Sequence, residues 1–167
     1  MKSLFYSDNY LASILELTKV IAMVGTSPNW VRPSHFVMKY MQRKGYRVIP
    51  VNPSINENMV LDEKAYDNLA SIPGPFDMVN IFRSSEAASA VTDEAISIAK
   101  EKGISTIWMQ LGVRNDEAAR RAEVAGLNVV MDRCPKIELG RLYGELSWGG
   151  VNSRIISAKR PRFRGEQ

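Results

Sequence analysis

The stretch KVIAMVGTSPNWVRPS, residues 19–34, decides the fold that we expect for the whole chain. Its apolar run, Val20–Val24, is too short for a helix and is rich in β-branched residues, which predicts a buried strand. Gly25 ends the run, and a loop with two prolines leads into a helical pattern from His35. A strand, a glycine turn and a helix N-terminus direct free N–H groups and the positive end of the helix dipole at one point. We therefore expect a phosphate-bearing ligand there.

The alternation of apolar runs and helical patterns continues along the chain. Further strands are predicted at residues 46–51, 78–82, 105–111 and 127–131. Helices are predicted at 8–18 with Asp8 or Asn9 as N-cap, at 35–44, after Ser84 or Ser85, from Asn115 or Asp116, and at 136–146. Residues 54–75 are irregular, with one helical turn at 66–72. Uniformly apolar strands between helices predict an α/β fold, a Rossmann-like three-layer sandwich. Its sheet is mainly parallel, with five strands or slightly more, and carries helices on both faces.

Composition predicts one domain at residues 1–150 and a basic tail at 151–167. Residues 154–167 carry five basic side chains and one acid, and they account for the whole net charge of +4. Since the remaining body is neutral, we expect no nucleic-acid site on it and only weak contact by the tail. No apolar run approaches the ~20 residues of a membrane span. A single cysteine excludes an internal disulfide, and the chain is expected in the cytoplasm.

The carboxyl ends of parallel strands meet at one edge of the sheet, where such folds bind ligands. In this chain those ends are the segments 25–27, 51–53, 82–84, 110–112 and 132–134. They are rich in polar and small residues. The sequence therefore predicts one ligand site built from several loops.

A dinucleotide-dependent enzyme is the first alternative for that site. The dinucleotide fingerprint G-x-G-x-x-G is incomplete, because Ser27 and Trp30 occupy its second and third glycine positions. The second strand ends in Val51-Asn52-Pro53, without the carboxylate that usually binds the ribose diol of NAD. This pattern favours an adenine nucleotide with a modified or differently placed ribose, such as the 3′-phosphorylated ADP of coenzyme A (CoA). An NAD(P)-dependent oxidoreductase stays open as the alternative.

Five short motifs in order give the chain a family resemblance. They are V-G-x-S at 24–27, G-Y-x-V-x-P-V-N-P at 45–53, I-F-R at 81–83, W-M-Q-x-G at 108–112 and D-R-C-P at 132–135. Over roughly residues 17–142 the chain resembles a stand-alone CoA-binding domain. That family is related to the N-terminal domain of the succinyl-CoA synthetase α subunit.

The resemblance implies which residues contact the ligand. In that family the first loop and the following helix N-terminus hold the pyrophosphate, and the Val-Asn-Pro and Phe-Arg-Ser strand ends flank the adenine and ribose. The implied contacts are Gly25, Ser27, Pro28, Ser34, Val51, Pro53, Phe82, Arg83 and Ser84. The strand ends add Asn52, Gln110 and Gly112. Arg83 is expected to offer its guanidinium to a phosphate.

The expected function is binding of CoA or an acyl-CoA, as a binding or regulatory module without catalytic residues of its own. The synthetase α subunit works through a phosphohistidine in a second domain, whereas the one histidine here, His35, lies at the loop–helix junction. We therefore expect that the chain is not a complete acyl-CoA synthetase. A scaffolding protein that acts through the basic tail on an unidentified protein partner is a further alternative.

Cys134 has two interpretations. It follows the last predicted strand beside Arg133, and a neighbouring cation favours thiolate, so it is a candidate redox thiol that forms a mixed disulfide with CoA. The favoured interpretation is a small buried side chain. With one cysteine and one histidine, no metal site is expected.

Overall fold

The computed structural model describes residues 4–55 and 59–144, which form a sheet covered by helices. The helices are α1 (Asp8–Leu17), α2 (Pro33–Arg43), α3 (Ala87–Lys102), α4 (Asp116–Val124) and α5 (Pro135–Leu142). The strands are β1 (Val20–Val24), β2 (Arg47–Val51), β3 (Met59–Val60), β4 (Glu63–Lys64), β5 (Met78–Ile81), β6 (Thr106–Met109) and β7 (Asn128–Val130). The predicted basic tail, and the end of the predicted domain from residue 145, lie outside the described residues.

The main sheet has five parallel strands in the order β2-β1-β5-β6-β7. This confirms the predicted Rossmann-like α/β fold. The chain leaves β1 toward β2 on one side and leaves β5 toward β6 on the other, so the strand order reverses between β1 and β5. Val24 at the end of β1 pairs with Val51 of β2 and with Ile81 of β5. The crevice at such a reversal is where open α/β sheets bind ligands.

Both faces of the sheet are buried, which explains why its strands are uniformly apolar. Helices α1, α2 and α5 cover one face, here called the α2 face, where Met23, Met78 and Trp108 are fully buried. Helices α3 and α4 cover the other, the α3 face, with Val79 and Ile107 at its centre. The predicted packing of Met38 and Met41 against the sheet is confirmed, because both are fully buried on the α2 face.

The outer edge of β7 is closed by two tyrosine hydroxyls. Tyr10 OH accepts a hydrogen bond from the Val129 N–H (3.1 Å) and donates one to the Val129 carbonyl (3.2 Å). Tyr6 OH accepts from the Met131 N–H (2.9 Å), and the two tyrosine rings are stacked with centroids 5.9 Å apart. Unpaired backbone groups on an edge strand invite pairing with other chains. The N-terminal segment therefore protects this edge.

Two local predictions are corrected here, and one pair of strands was not predicted. Helix α1 is capped by Ser7, whose side chain accepts from the Tyr10 N–H, rather than by Asp8 or Asn9. Residues 66–72 form turns and no helix, and Tyr66 instead makes a parallel bridge to Val51. The antiparallel pair β3–β4 was not predicted, because each strand has two residues and its turn uses Leu61 and Asp62 at positive φ.

Candidate functional site

The turn after β1 is held at Gly25. Its φ is +87°, and a Cβ at this position would overlap the backbone carbonyl of Phe82 and lie 3.0 Å from Cδ of Arg83. The Gly25 N–H donates to the Val51 carbonyl (2.8 Å), and the Phe82 N–H donates to the Val24 carbonyl (2.8 Å). Only glycine satisfies both the left-handed backbone and this close approach. The ends of β1, β2 and β5 are thereby fixed at one point.

The first loop, residues 25–34, is shaped by its own serines. Ser34 Oγ accepts from the Ser27 N–H (3.0 Å), and Ser27 Oγ accepts from the Asn29 N–H (3.2 Å). Helix α2 has Pro33 in its first turn and no side-chain cap. Three N–H groups of the loop have no acceptor among residues 4–55 and 59–144: those of Thr26, Trp30 and Ser34. These groups, with the positive end of the α2 dipole, are the ones that remain for an anion.

Asn52 joins the first loop to the loop after β2. Its Nδ2 donates to the Thr26 carbonyl (2.9 Å), and its Oδ1 accepts from the Ser54 N–H (2.9 Å). The backbone N–H of Asn52 also donates to the Tyr66 carbonyl (2.9 Å). An asparagine supplies the donor and the acceptor that these contacts need, whereas a carboxylate only accepts. The residue that ends β2 thus orders the neighbouring loops.

A cavity of about 180 Å³ opens over the ends of β1 and β2 on the α3 face. Five of the residues predicted from sequence line it together: Gly25, Val51, Asn52, Pro53 and Arg83. The Arg83 side chain is exposed and has no hydrogen-bond or ion-pair partner within the described part of the chain. An unpaired guanidinium beside this cavity suits a bidentate anionic group.

The other predicted residues are distributed around this cavity. Ser27, Pro28 and Ser34 belong to the first loop and the start of α2. Ser84 Oγ accepts from the Ala87 N–H (3.1 Å), but the predicted N-cap at Ser84 or Ser85 is corrected, because Glu86 occupies the cap position of α3. Phe82 is half-buried on the α2 face. Gln110 and Gly112 follow β6, where the Gly112 N–H donates to Asp132 Oδ1 (2.7 Å).

Val24, from the V-G-x-S motif, also lines the cavity, together with residues that sequence reasoning missed: Asp67, Asn68, Val91 and Glu94. Asp67 comes from the irregular segment after β4, and Glu94 from the middle of α3, where its Oε1 accepts from the Ala70 N–H (3.2 Å). The expectation that no carboxylate follows β2 holds for the strand itself. Even so, two carboxylates reach the same cavity from distant segments. The place of Glu94 next to the apolar stripe of α3 is the sequence signal that could have indicated this residue.

Cys134 lies at the N-cap position of α5 and is 5% exposed. It lines a separate depression with Phe5 and Leu111, apart from the cavity at Gly25. This burial agrees with the favoured interpretation of a packed side chain. His35 is half-buried at the start of α2.

Two further searches covered only residues 4–55 and 59–144. None of the helices there is long and apolar enough to cross a membrane. In the same ranges, no three His, Cys, Asp or Glu side chains are grouped as metal ligands.

The fold and the cavity at its strand reversal are those of a Rossmann-like α/β protein. The model of the CoA binding domain family matches residues 19–140. The chain belongs to this family, which confirms the resemblance drawn from the five motifs.

The chain is also similar to a curated relative and to solved structures. The uncharacterized protein YneT of Bacillus subtilis (strain 168) is 42% identical over 127 residues, covering 76% of this chain and 90% of that protein. The structure of a hypothetical protein from Pyrococcus horikoshii OT3 has a TM-score of 0.75 and 35% identity, covering 85% of this chain and 99% of that one. A structure from Thermus thermophilus has a TM-score of 0.76 and 32% identity, covering 83% and 100%.

Proposed function

We propose that the chain binds CoA or an acyl-CoA across the ends of β2, β1 and β5. The observation that carries the proposal is the unpaired guanidinium of Arg83 beside the cavity at Gly25 and Asn52. Membership of the CoA-binding domain family supports the same ligand. The 3′-phosphate of CoA distinguishes it from NAD, and Arg83 is the side chain that would recognise this additional charge.

The parts of the ligand match different parts of the site. The adenosine would occupy the cavity, where Asn52, Asp67 and Asn68 offer hydrogen-bonding groups to its base and ribose. The pyrophosphate would lie against the free N–H groups of the first loop and the start of α2. In this arrangement Gly25 keeps the backbone open, because a side chain there would overlap Phe82.

We propose a binding or regulatory role in the cytoplasm, similar to that of the CoA-binding part of the succinyl-CoA synthetase α subunit. The groups at the cavity recognise and position a nucleotide. The loop serines hold backbone N–H groups in place, Asn52 orders two loops, and Arg83 provides charge. These are the functions of a binding site.

The alternative, an NAD(P)-dependent oxidoreductase, is favoured by one observation. Asp67 and Glu94 line the cavity, and a carboxylate near the second strand is what a ribose diol requires. Calorimetric titration of the purified protein with CoA, dephospho-CoA and NAD⁺ separates the two functions. We expect CoA to bind at least ~10-fold more tightly than dephospho-CoA, as for one charge-assisted contact, and NAD⁺ to bind more weakly still. Equal or tighter binding of NAD⁺ would overturn the proposal.

A further inference from the structure

Two buried amide side chains lie beside the proposed ligand site without partners. Asn80, in the middle of β5, is 0% exposed, and both its Nδ2 and its Oδ1 lack a hydrogen-bond partner among the described residues. Gln110, directly after β6, is 7% exposed, and its Oε1 lacks one as well. Buried polar atoms of native proteins are nearly always hydrogen-bonded, because leaving them unpaired costs their full desolvation. These three atoms therefore need a hydrogen-bonding partner that the described residues do not supply.

The two amides face the same side of neighbouring strands. Asn80 pairs in register with Trp108, and both alternate with residues of the α3 face, so Asn80, Trp108 and Gln110 lie on the α2 face. Helices α2 and α5 both start at this end of the sheet and contact each other. Phe82 lies two residues beyond Asn80 on the same face and is half-buried.

The residues around Asn80 and Gln110 favour an uncharged ligand group. Met23, Met78 and Trp108 on this face are apolar, and the Trp108 Nε1 already donates to the Arg133 carbonyl (2.8 Å). The charged groups at the start of α5 are engaged elsewhere. Arg133 donates to the Leu4 and Asp132 carbonyls, and the buried Glu138 carboxylate accepts from Arg141 at 2.7 Å. Because Arg133 and Arg141 already have partners, they are not available to a phosphate or carboxylate, whereas an amide or hydroxyl matches Asn80 and Gln110.

We propose that Asn80 and Gln110 bind the pantetheine arm of CoA, whose two amides and hydroxyl offer the complementary donors and acceptors. This inference rests on the proposed function. With the adenosine at the end of β2 and the pyrophosphate at β1, the rest of the ligand continues in the sheet order to β5 and β6. Three strand spacings of ~4.8 Å separate β2 from β6, a distance of ~14 Å that a CoA molecule spans. To reach Asn80, the arm crosses the strand ends from the α3 face, where the cavity lies, to the α2 face beside the half-buried Phe82.

The test compares two ligands on three variants. CoA carries the arm, and adenosine 3′,5′-bisphosphate has the nucleotide without it. For Asn80→Leu and Gln110→Leu, we expect a ~10-fold loss of CoA affinity by calorimetry and unchanged affinity for the bisphosphate. Asn128 is an exposed amide at the start of β7, at the end of the sheet away from the proposed site. Asn128→Leu is therefore the matched control and should change neither affinity.

Two controls keep folding and ligand effects apart. Thermal melting of Asn80→Leu should not fall, because an unpaired buried amide is being replaced by an apolar group of similar size. In wild-type protein, the Nδ2 proton signals of Asn80, assigned by their absence in Asn80→Leu, should shift with CoA and not with the bisphosphate.

Three outcomes would overturn the inference. A buried water that satisfies both amides predicts unchanged CoA affinity in both leucine variants. An equal loss of affinity for CoA and for the bisphosphate would show that Asn80 acts on the fold or on the nucleotide end. Asn80 Nδ2 signals that do not shift with CoA would show the same. Failure of the wild-type protein to bind CoA would instead overturn the proposed function, and this inference with it.

Discussion

Gly25 lies directly against the backbone carbonyl of Phe82, where β1 and β5 end side by side. The positive φ of Gly25 turns the chain away at this point, and its N–H is bonded to Val51 of the strand on the other side. One residue without a side chain thus fixes the ends of three strands. Because the crossovers diverge here, the same contact defines the crevice in which we place the nucleotide.

Replacing Gly25 by alanine should destabilise the protein strongly. The left-handed backbone alone costs ~1–2 kcal/mol for a residue with a Cβ, and the overlap with Phe82 adds to it. Gly126→Ala is the matched control, since its φ is +86° and no atom lies within 4 Å of the added Cβ. Urea unfolding should show a larger loss of unfolding free energy for Gly25→Ala. Equal losses would contradict the account of this contact.

Arg83→Gln should weaken CoA binding without affecting stability. The guanidinium has no partner among the described residues, so the fold loses nothing, whereas a charge-assisted contact to phosphate is worth ~1.5–3 kcal/mol. We expect a loss of affinity of ~10-fold to 100-fold by calorimetry and an unchanged melting temperature. Arg120→Gln, an exposed arginine on α4, serves as control. If both variants bind CoA as well as the wild type, Arg83 is not a ligand contact.

The parallel sheet was predictable because its strands carry their signal locally. Val20–Val24 and Met78–Ile81 are buried on both faces, so nearly every position is apolar. The turn through Leu61 and Asp62 carries neither glycine nor asparagine, although both residues have positive φ, so its hairpin left no trace in the sequence. Capping by Ser7 instead of Asp8 or Asn9 shows the usual uncertainty at helix ends.

The site was predictable only where it follows the strands. Gly25, Asn52 and Arg83 come directly after β1, β2 and β5, so the parallel topology brings them to one edge. Asp67 reaches the cavity from an irregular loop, and Glu94 from one side of α3. No short motif encodes the course of that loop or which side of the helix faces the cavity. In the sequence, Asn80 is one polar residue in an apolar run. That its amide lacks hydrogen-bond partners depends on the neighbouring strands and helices, which the sequence does not specify.

Tyr10→Phe should destabilise the protein without changing its affinity for CoA. The hydroxyl makes two hydrogen bonds to Val129, each worth roughly 1 kcal/mol, at the edge of the sheet away from the cavity. Tyr66→Phe is the control, because the Tyr66 hydroxyl has no partner among the described residues. We expect a loss of ~1–2 kcal/mol in urea unfolding for Tyr10→Phe alone. A weakened CoA affinity in Tyr10→Phe would contradict the separation of this edge from the site.

The link between α1 and α5 should depend on pH. The hydrogen bond from Arg141 (2.8 Å) lowers the pKa of Asp8 below its ordinary value of 3.8. The stability it provides is therefore present above that value and is lost as the pH falls through the lower pKa of the folded state. The melting temperature of Asp8→Asn should lie slightly below that of the wild type at neutral pH, and the difference should vanish in acid. Because the pair is exposed, added salt should reduce the difference. A deficit that persists in acid would assign another role to Asp8.

The most direct test of the ligand assignment is a crystal structure of the protein with bound CoA. We predict the adenosine in the cavity over β1 and β2, with its 3′-phosphate on Arg83 and its pyrophosphate at the first loop. A groove of about 870 Å³ between Phe5, Tyr10 and α4 offers a competing place. CoA bound in that groove, with the cavity beside Gly25 and Asn52 left empty, would contradict the account.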